Sequence, residues 1–259
     1  MNNPQISLKL SKFATLIKHI EAEITIQEAI EARHSVRAYK EQPLTAEVVK
    51  TLEEKITGLN REGHLHMQLI MNEPKAFQGT LAKYGKFRGV NNYIVMAGQK
   101  ADDLDERIGY YGEQLVLMAQ TLGLNTCWVG LSYSKVPGTY VLEDGEKIAC
   151  YIAVGYGETQ GVGHKVKTVE QVSNVSDTTP SWFKKGVEAA LLAPTAVNQQ
   201  KFSFEYVGMK DGRHQVRAKK GFSMIGYTKR RIWALPSVIS RSVQGKKTLN
   251  GYNYIKNYK

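Results

Sequence analysis

The chain has 259 residues, 42% of them hydrophobic and 9% aromatic, which is typical of a globular protein and excludes collagen-like, disordered and disulfide-scaffold classes. The formal net charge of +11 is typical of proteins that bind nucleic acid or an anionic surface. However, residues 212–259 hold 12 basic and no acidic side chains, whereas residues 1–211 hold 23 basic and 24 acidic ones. The charge excess therefore belongs to the C-terminal tail alone.

Two cysteines, Cys127 and Cys150, lie in apolar surroundings and are too few for a disulfide framework, so we expect small buried side chains in a reducing compartment. Lysines interrupt the apolar residues near the N-terminus, which argues against a signal peptide. The longest uncharged run, 114–134, contains Gln, Asn, Thr and Gly and favours a helix, a turn and a strand over a membrane span. We therefore expect a cytoplasmic protein without a membrane partner.

Apolar spacing and capping residues predict the elements of the first half. Behind Thr25 the apolar residues follow helical spacing, and Glu28 completes a capping box. In chain order we predict a helix from Ile26, a helix from Thr45 that closes before Gly58, a strand at 65–71, a helix at 76–84, a strand at 93–97, and a helix within 102–122 that Gly123 ends.

The second half contains shorter elements. We predict strands at 127–130 and 148–156, a turn-rich segment at 155–163, a polar linker, a helix at 181–192 behind Pro180, and strands at 202–207 and 214–218 joined by a hairpin turn at Asp211-Gly212. Helices and strands are mixed without strict βαβ alternation. The sequence therefore predicts an α+β fold with a mixed or antiparallel sheet flanked by helices.

A cluster of sequence Arg-His-Ser-Val-Arg, at 33–37, directly follows the first predicted helix. Two guanidinium groups and a hydroxyl can form charge-assisted hydrogen bonds with a phosphate or an electron-rich ring. Taken alone, such a cluster is also typical of a solvated helix end. Both interpretations stay open on these residues alone.

The segment Ala-Pro-Thr-Ala-Val-Asn-Gln-Gln, at 193–200, lies between a predicted helix and a predicted strand. Pro194 stops the helix, and small residues let the backbone approach a flat ligand. Asn198 and Gln200 can both donate and accept hydrogen bonds, as the edge of a heterocycle requires. An ordinary helix-to-strand loop explains the segment equally well.

Two further segments can contact a ligand. Gly-Leu-Asn-Thr-Cys-Trp-Val-Gly, at 123–130, predicts a strand that ends at a glycine, where backbone N–H groups can face a ligand. Lys165 and Lys167 lie on one side of an extended segment behind a glycine-rich loop and can hold a phosphate. A pair of lysines alone has almost no specificity.

Together, the order and spacing of these four segments resemble the FMN-dependent nitroreductase family over roughly residues 25–220. The resemblance implies a nitroreductase-like fold, FMN as cofactor, NADH or NADPH as co-substrate, and a small-molecule electron acceptor such as a nitroaromatic compound or a quinone. The cofactor carries such chemistry, so the residues receive binding roles. We name no catalytic acid or base and no metal ligand.

The resemblance also assigns the implied FMN contacts. Arg33, Ser35 and Arg37 would contact the ribityl chain, the phosphate and the pyrimidine edge, while His34 is equally well interpreted as a packed neighbour. The remaining contacts fall into three groups: Lys165 and Lys167 at the phosphate; Val129, Gly130 and Leu131 facing the flavin; and Pro194, Thr195, Ala196, Asn198 and Gln200 covering the ring.

The position of the late loop differs from that in ordinary nitroreductases, whose Pro-Ser-x-x-Asn-x-Gln loop soon follows the Arg-x-Ser-x-Arg helix and reaches the flavin of a second subunit. Here the loop lies at 193–200, which resembles a subfamily in which one chain contains two degenerate halves that imitate the dimer. This implies a domain of residues 1–221, with halves at about 25–175 and 176–221. It also implies one FMN site and a monomer with an internal pseudo-two-fold.

The tail at 222–259 departs from the family, whose members end in Gly-Ile-x-x-Cys-His-Phe-Glu. Back-translation of Arg231–Tyr252 with permitted codons, read two nucleotides later, produces Gly-Ile-Ala-Lys-Cys-His-Phe-Glu, and a stop codon follows if Asn253 is encoded AAT. We therefore expect the tail from about Gly226 to be an out-of-frame reading that packs poorly, and we expect no nucleic-acid partner. Resequencing of the gene tests this expectation.

Two alternatives to the enzyme remain open from the sequence. One is a flavin-binding protein with little turnover. The other is a protein whose authentic basic tail binds nucleic acid or an anionic surface.

Overall fold

The structure of the protein, a computed structural model, describes residues 24–220 and 252–255. In this part of the chain the helices are α1 (Ile26–Ala32), α2 (Ala46–Gly63), α3 (Thr80–Tyr84), α4 (Leu104–Thr121), α5 (Val169–Val172) and α6 (Ser181–Leu191), with 3₁₀ turns at Lys75–Phe77 and Ala196–Asn198. The strands are β1 (Gln68–Ile70), β2 (Tyr93–Gln99), β3 (Asn125–Val129), β4 (Glu146–Gly155), β5 (Phe202–Lys210), β6 (Arg213–Lys220) and β7 (Tyr252–Ile255).

Strands β1 to β4 form an antiparallel sheet in the order β1-β2-β4-β3. Successive side chains point to opposite faces, as the strand period of two requires. Ile94 and Ile152 pack with α2 and α4 on one face. Val95 and Tyr151, which are paired in the register, pack on the other. Because both faces are buried, the central strands have continuous apolar sequences.

Helix α4 is the central helix and contributes to two cores. Leu115 and Ala119 pack with α2 and the first sheet. Leu117 packs with α1, α6 and the second sheet. Burial on several sides also brings the carboxylate of Glu113 into the interior, where it is 1% exposed.

Strands β5, β6 and β7 form the second sheet, in which β5 and β6 are antiparallel and β6 and β7 are parallel. Asp211 and Gly212 join the hairpin with φ angles of 52° and 72°, the left-handed pair that a type I′ turn needs. Phe183 of α6 and Phe204 of β5 lie in the core beneath this sheet. The predicted hairpin turn and the predicted α+β architecture are confirmed.

Three element predictions are corrected. Helix α2 passes through Gly58 because Leu59, 1% exposed, continues its buried face. The helix predicted at 76–84 is two pieces, since Gly79 is the extended N-cap of α3. The predicted linker contains α5, which begins at a capping box of Thr168 and Gln171.

Apart from β7, the 222–259 tail lies outside the described residues. That the tail is read out of frame and packs poorly therefore stays a prediction. Cys127 and Cys150 are buried free thiols, as their apolar surroundings predict. Within 24–220 and 252–255, each helix is either too short or too polar to cross a membrane.

Candidate functional site

The Arg-His-Ser-Val-Arg segment leaves α1 in an extended conformation and runs beside β3. Arg33 is the C-cap of α1. Ser35 pairs in parallel with Thr126, and the backbone N–H of Val36 donates to the Thr126 carbonyl at 3.0 Å. Backbone bonds therefore attach the segment to the sheet edge, with Ser35 half-buried and Arg37 exposed.

The side chain of Arg33 is 3% exposed and lies between α4 and the end of α6. Its Nη2 donates to the carbonyl of Leu192 at 3.4 Å, and its Nε lies 3.9 Å from Oε1 of Glu113. Its Nη1 is buried and has no hydrogen-bond partner among the described residues. Because buried donors in native proteins are almost always paired, this nitrogen needs an acceptor that the described residues do not supply.

The loop at 193–200 packs against the extended segment at 165–167 through side-chain amides. Nε2 of Gln200 donates to the carbonyl of Lys165 at 2.7 Å, and Nδ2 of Asn198 donates to the same carbonyl at 2.9 Å. The ammonium of Lys167 donates to the Gln200 carbonyl at 2.8 Å, whereas the Lys165 side chain is exposed. The structure therefore brings together the two predicted phosphate lysines and the predicted ring-covering loop.

The loop backbone enters the left-handed region three times, at Val197 (φ 44°), Asn198 (φ 53°) and Gln200 (φ 45°). Asn tolerates this region, but a β-branched residue there is strained. The hydroxyl of Thr195 accepts from the Gln200 backbone N–H at 3.1 Å and ties the two ends of the turn together. Pro194 and Ala196 are half-buried in the same loop.

His34 is half-buried beside the glycine-rich loop that follows β4. A Cβ at Gly161 would lie 2.8 Å from the Cβ of His34, and the φ of Gly161 is 77°, so this approach requires a glycine. Burial, and then the charges of Arg33 and His164, lower the pKa of His34. His164 in turn donates from Nε2 to the carbonyl of Leu191 at 3.1 Å. These contacts place His34 among packed neighbours, and its contact with a ligand stays a prediction.

Val129, Gly130 and Leu131 lie at the C-terminal end of β3. Val129 is buried, Gly130 is half-buried and Leu131 is 52% exposed. At about 3.3 Å per residue, Val129 is roughly 10 Å along the strand from Thr126, where Ser35 is attached. Val129 thus lies on the strand that holds the arginine segment but further along it, and Gly130 and Leu131 follow directly after the strand.

Glu113 is a site residue that the motif analysis missed. Its Oε2 accepts a hydrogen bond from the indole N–H of Trp128 at 3.0 Å, and its other oxygen faces Arg33. Burial raises the pKa of the Glu113 carboxyl, while the Arg33 charge and the Trp128 hydrogen bond oppose that shift. A sequence signal exists, because Glu113 is the sole charged residue between Arg107 and Lys135.

A small cleft of about 80 Å³ lies elsewhere, between the 39–43 segment, Asn72, the 89–92 segment and the end of β4. None of the predicted site residues lines it. In the described ranges, no group of three or more His, Cys, Asp or Glu side chains is placed to hold a metal ion.

Three solved structures are similar to this chain. A crystal structure described as a putative nitroreductase from Thermotoga maritima is 22% identical, with 85% of this chain and 84% of that chain covered and a TM-score of 0.58. Two structures described as putative nitroreductases in complex with FMN also match. The one from Desulfovibrio desulfuricans is 17% identical over 61% of this chain and 99% of that one, with a TM-score of 0.45. The one from Exiguobacterium sibiricum is 16% identical over 57% and 95%, with a TM-score of 0.46.

The predicted nitroreductase-like fold is confirmed by the Thermotoga maritima structure. A comparison with curated protein sequences finds no match. The model of the family described as "Putative TM nitroreductase" matches residues 25–227. This match covers most of the chain and all four motif segments, and the protein therefore belongs to that nitroreductase family.

Proposed function

We propose that this chain is an FMN-dependent oxidoreductase that takes electrons from NADH or NADPH and passes them to a nitroaromatic compound, a quinone or a similar small acceptor. Membership of the nitroreductase family supports this proposal. The relatives from Desulfovibrio desulfuricans and Exiguobacterium sibiricum are described as complexes with FMN. The buried free thiols are consistent with a cytoplasmic reaction.

The observation that carries the proposal is Nη1 of Arg33, which is buried and has no hydrogen-bond partner in the part of the chain that the structure describes. A buried guanidinium N–H needs an acceptor, and phosphate or ring carbonyl oxygens are strong acceptors for arginine. The side chain of Arg37, in the same segment as Arg33, is exposed. The side chain of Lys165, in the segment that packs against the 193–200 loop, is exposed as well. Their positive charges suit an anionic ligand such as a phosphate.

When bound, FMN would supply hydride acceptance and electron delivery. Arg33, Ser35 and Arg37 would hold its polar groups, and Lys165 would neutralise phosphate charge. The lysine at 167 holds the backbone of the 193–200 loop, so it would fix the loop that covers the ring. Val129 and Leu131 would exclude water at the end of β3.

Purified protein tests the proposal directly. We expect FMN absorbance that is bleached by NADH or NADPH without oxygen and restored by an acceptor. Arg33→Met and Lys165→Met should weaken FMN binding. Lys50→Met, which changes a 77% exposed lysine on α2, is the matched control and should leave binding unchanged. A colourless protein that takes up no added FMN would contradict the proposal.

We also propose that the active species is a monomer with one FMN site completed by its own late loop. The contact between the 165–167 segment and the loop at 193–200 is made within one chain, which supports this assembly. Sedimentation of the FMN-bound protein should report a mass near 29.0 kDa. A dimer that loses its FMN when dilution dissociates it would overturn the single-chain site.

A further inference from the structure

Glu113 connects three of the segments that carry the proposed FMN site. Its two oxygens face Arg33 of the arginine segment and Trp128 of β3. Arg33 in turn donates to the carbonyl of Leu192, directly before the loop at 193–200. The carboxylate itself lies in α4, outside all four segments. One buried side chain therefore links elements that are distant in the sequence.

The local packing of α4 is built around this carboxylate. Gly112 precedes it, and a Cβ at that position would overlap the indole ring of Trp128 and lie 2.7 Å from the methyl group of Met96. The absence of a side chain lets the indole approach the helix, so that its N–H reaches Oε2 of Glu113 at 3.0 Å. Trp128 therefore holds the carboxylate in one orientation.

The held carboxylate limits the positions that the guanidinium of Arg33 can take. Its Nε faces Oε1 of Glu113 at 3.9 Å, and its Nη2 faces the Leu192 carbonyl at 3.4 Å. Two of the three nitrogens are thus oriented by the protein, and Nη1 is the one without a partner among the described residues. A buried charge without compensation is costly, so the carboxylate also stabilises the buried cation.

We propose that Glu113 is the positioning residue of the FMN site: it fixes and charge-compensates Arg33 so that Nη1 of Arg33 is presented to an oxygen of the cofactor. This inference rests on the proposed function. The carboxylate of Glu113 is 1% exposed and faces Arg33 and Trp128, so its effect on FMN affinity would pass through Arg33.

The test is a double-mutant cycle on the FMN dissociation constant, measured by titrating apoprotein. Glu113→Gln should weaken FMN binding about tenfold, because a neutral amide no longer compensates the buried charge of Arg33. Arg33→Met should weaken it at least as much. The double variant should bind FMN as weakly as Arg33→Met alone, since Glu113 has no other route to the ligand.

Glu146→Gln is the matched control. The side chain of Glu146 is 5% exposed, and its carboxylate lies 2.7 Å from Nδ1 of His66 in another part of the fold. Its substitution should reduce stability and leave FMN affinity unchanged. Equal losses of FMN affinity in Glu113→Gln and Glu146→Gln would show a general stability effect and overturn the proposal.

Two further outcomes contradict it. One is wild-type affinity in Glu113→Gln. The other is an additional loss in the double variant compared with Arg33→Met. If Glu113→Gln does not fold, Arg33→Met and the double variant, which lacks both charges of the pair, are compared instead. A further loss of FMN affinity in the double variant would then overturn the proposal. Failure of the wild type to bind FMN would instead refute the proposed function.

Discussion

Lys167 and Gln200 hold each other through two hydrogen bonds. The backbone N–H of Lys167 donates to Oε1 of Gln200 at 2.9 Å, and the ammonium of Lys167 donates to the Gln200 carbonyl at 2.8 Å. One bond uses the side chain of Gln200 and the other the side chain of Lys167. The pair therefore joins the 165–167 segment and the 193–200 loop in a defined register.

Gln200→Leu should destabilise the protein by about 1–3 kcal/mol, because the substitution leaves the N–H of Lys167 without its acceptor and removes one of the two donors to the carbonyl of Lys165. The side chain is 3% exposed, so water cannot readily replace it. Urea unfolding measures the effect. Gln27→Leu, on the exposed face of α1, should stay within about 0.5 kcal/mol of the wild type. An unchanged urea midpoint in Gln200→Leu would mean that this network does not hold the loop.

Val197→Gly should stabilise the protein by about 1 kcal/mol, because a left-handed valine costs more than glycine loses in unfolded-chain entropy. Val197 has a φ of 44° and is 80% exposed, so little packing is lost. Val207→Gly, in β5 and 44% exposed, should destabilise by a similar amount. Denaturant unfolding of both variants checks the contrast. Destabilisation in both would show that Val197 is not strained.

Features with local causes were predictable from the sequence. The capping box of Thr25 and Glu28 involves residues three positions apart, and the Asp211-Gly212 turn depends on the left-handed preference of its own residues. The end of α2 depends instead on tertiary packing. Its last residue, Gly63, lies against the ring of Tyr111 in α4, a contact that local spacing does not contain.

The site divides in the same way. The motif segments were predictable because residue type and order suggested a ligand. The hydrogen bond from the Gln200 side chain to the Lys165 carbonyl was not predictable, since it joins residues 35 positions apart. Glu113 was missed because it belongs to no motif, and only the fold brings it to Arg33. The residue types thus predict which segments carry the candidate site, but not the contacts that hold those segments together.

His34 should lose its proton at a pH below its ordinary pKa of 6.5, since burial and the charges of Arg33 and His164 lower that pKa. The folded protein then binds this proton more weakly than the unfolded chain. The contribution of His34 to the free energy of unfolding is therefore fully present above pH 6.5. It is lost as the pH falls from 6.5 towards the lowered pKa.

Removing the imidazole should therefore reduce acid sensitivity. When the pH is lowered from above 6.5 to below it, the free energy of unfolding should fall less in His34→Gln than in the wild type. NMR titration of the imidazole protons, with the variant to assign the His34 signal, measures the pKa itself. Parallel stability profiles for the two proteins would contradict the lowered pKa.

Gly112→Ala and Gly58→Ala should change stability in opposite directions, although both glycines lie inside helices of 18 residues. At Gly58 nothing lies within 4 Å of the added Cβ, so alanine should stabilise by about 0.5–1 kcal/mol through helix propensity. At Gly112 the Cβ would overlap the ring of Trp128, and overpacking should cost about 1–3 kcal/mol.

Displacing Trp128 should also break its bond to Glu113, so Gly112→Ala should weaken FMN binding while Gly58→Ala leaves it unchanged. Urea unfolding and FMN titration of the two variants measure both effects, and a stabilised Gly112→Ala protein with wild-type FMN affinity would show that the close approach of Trp128 to α4 is not needed.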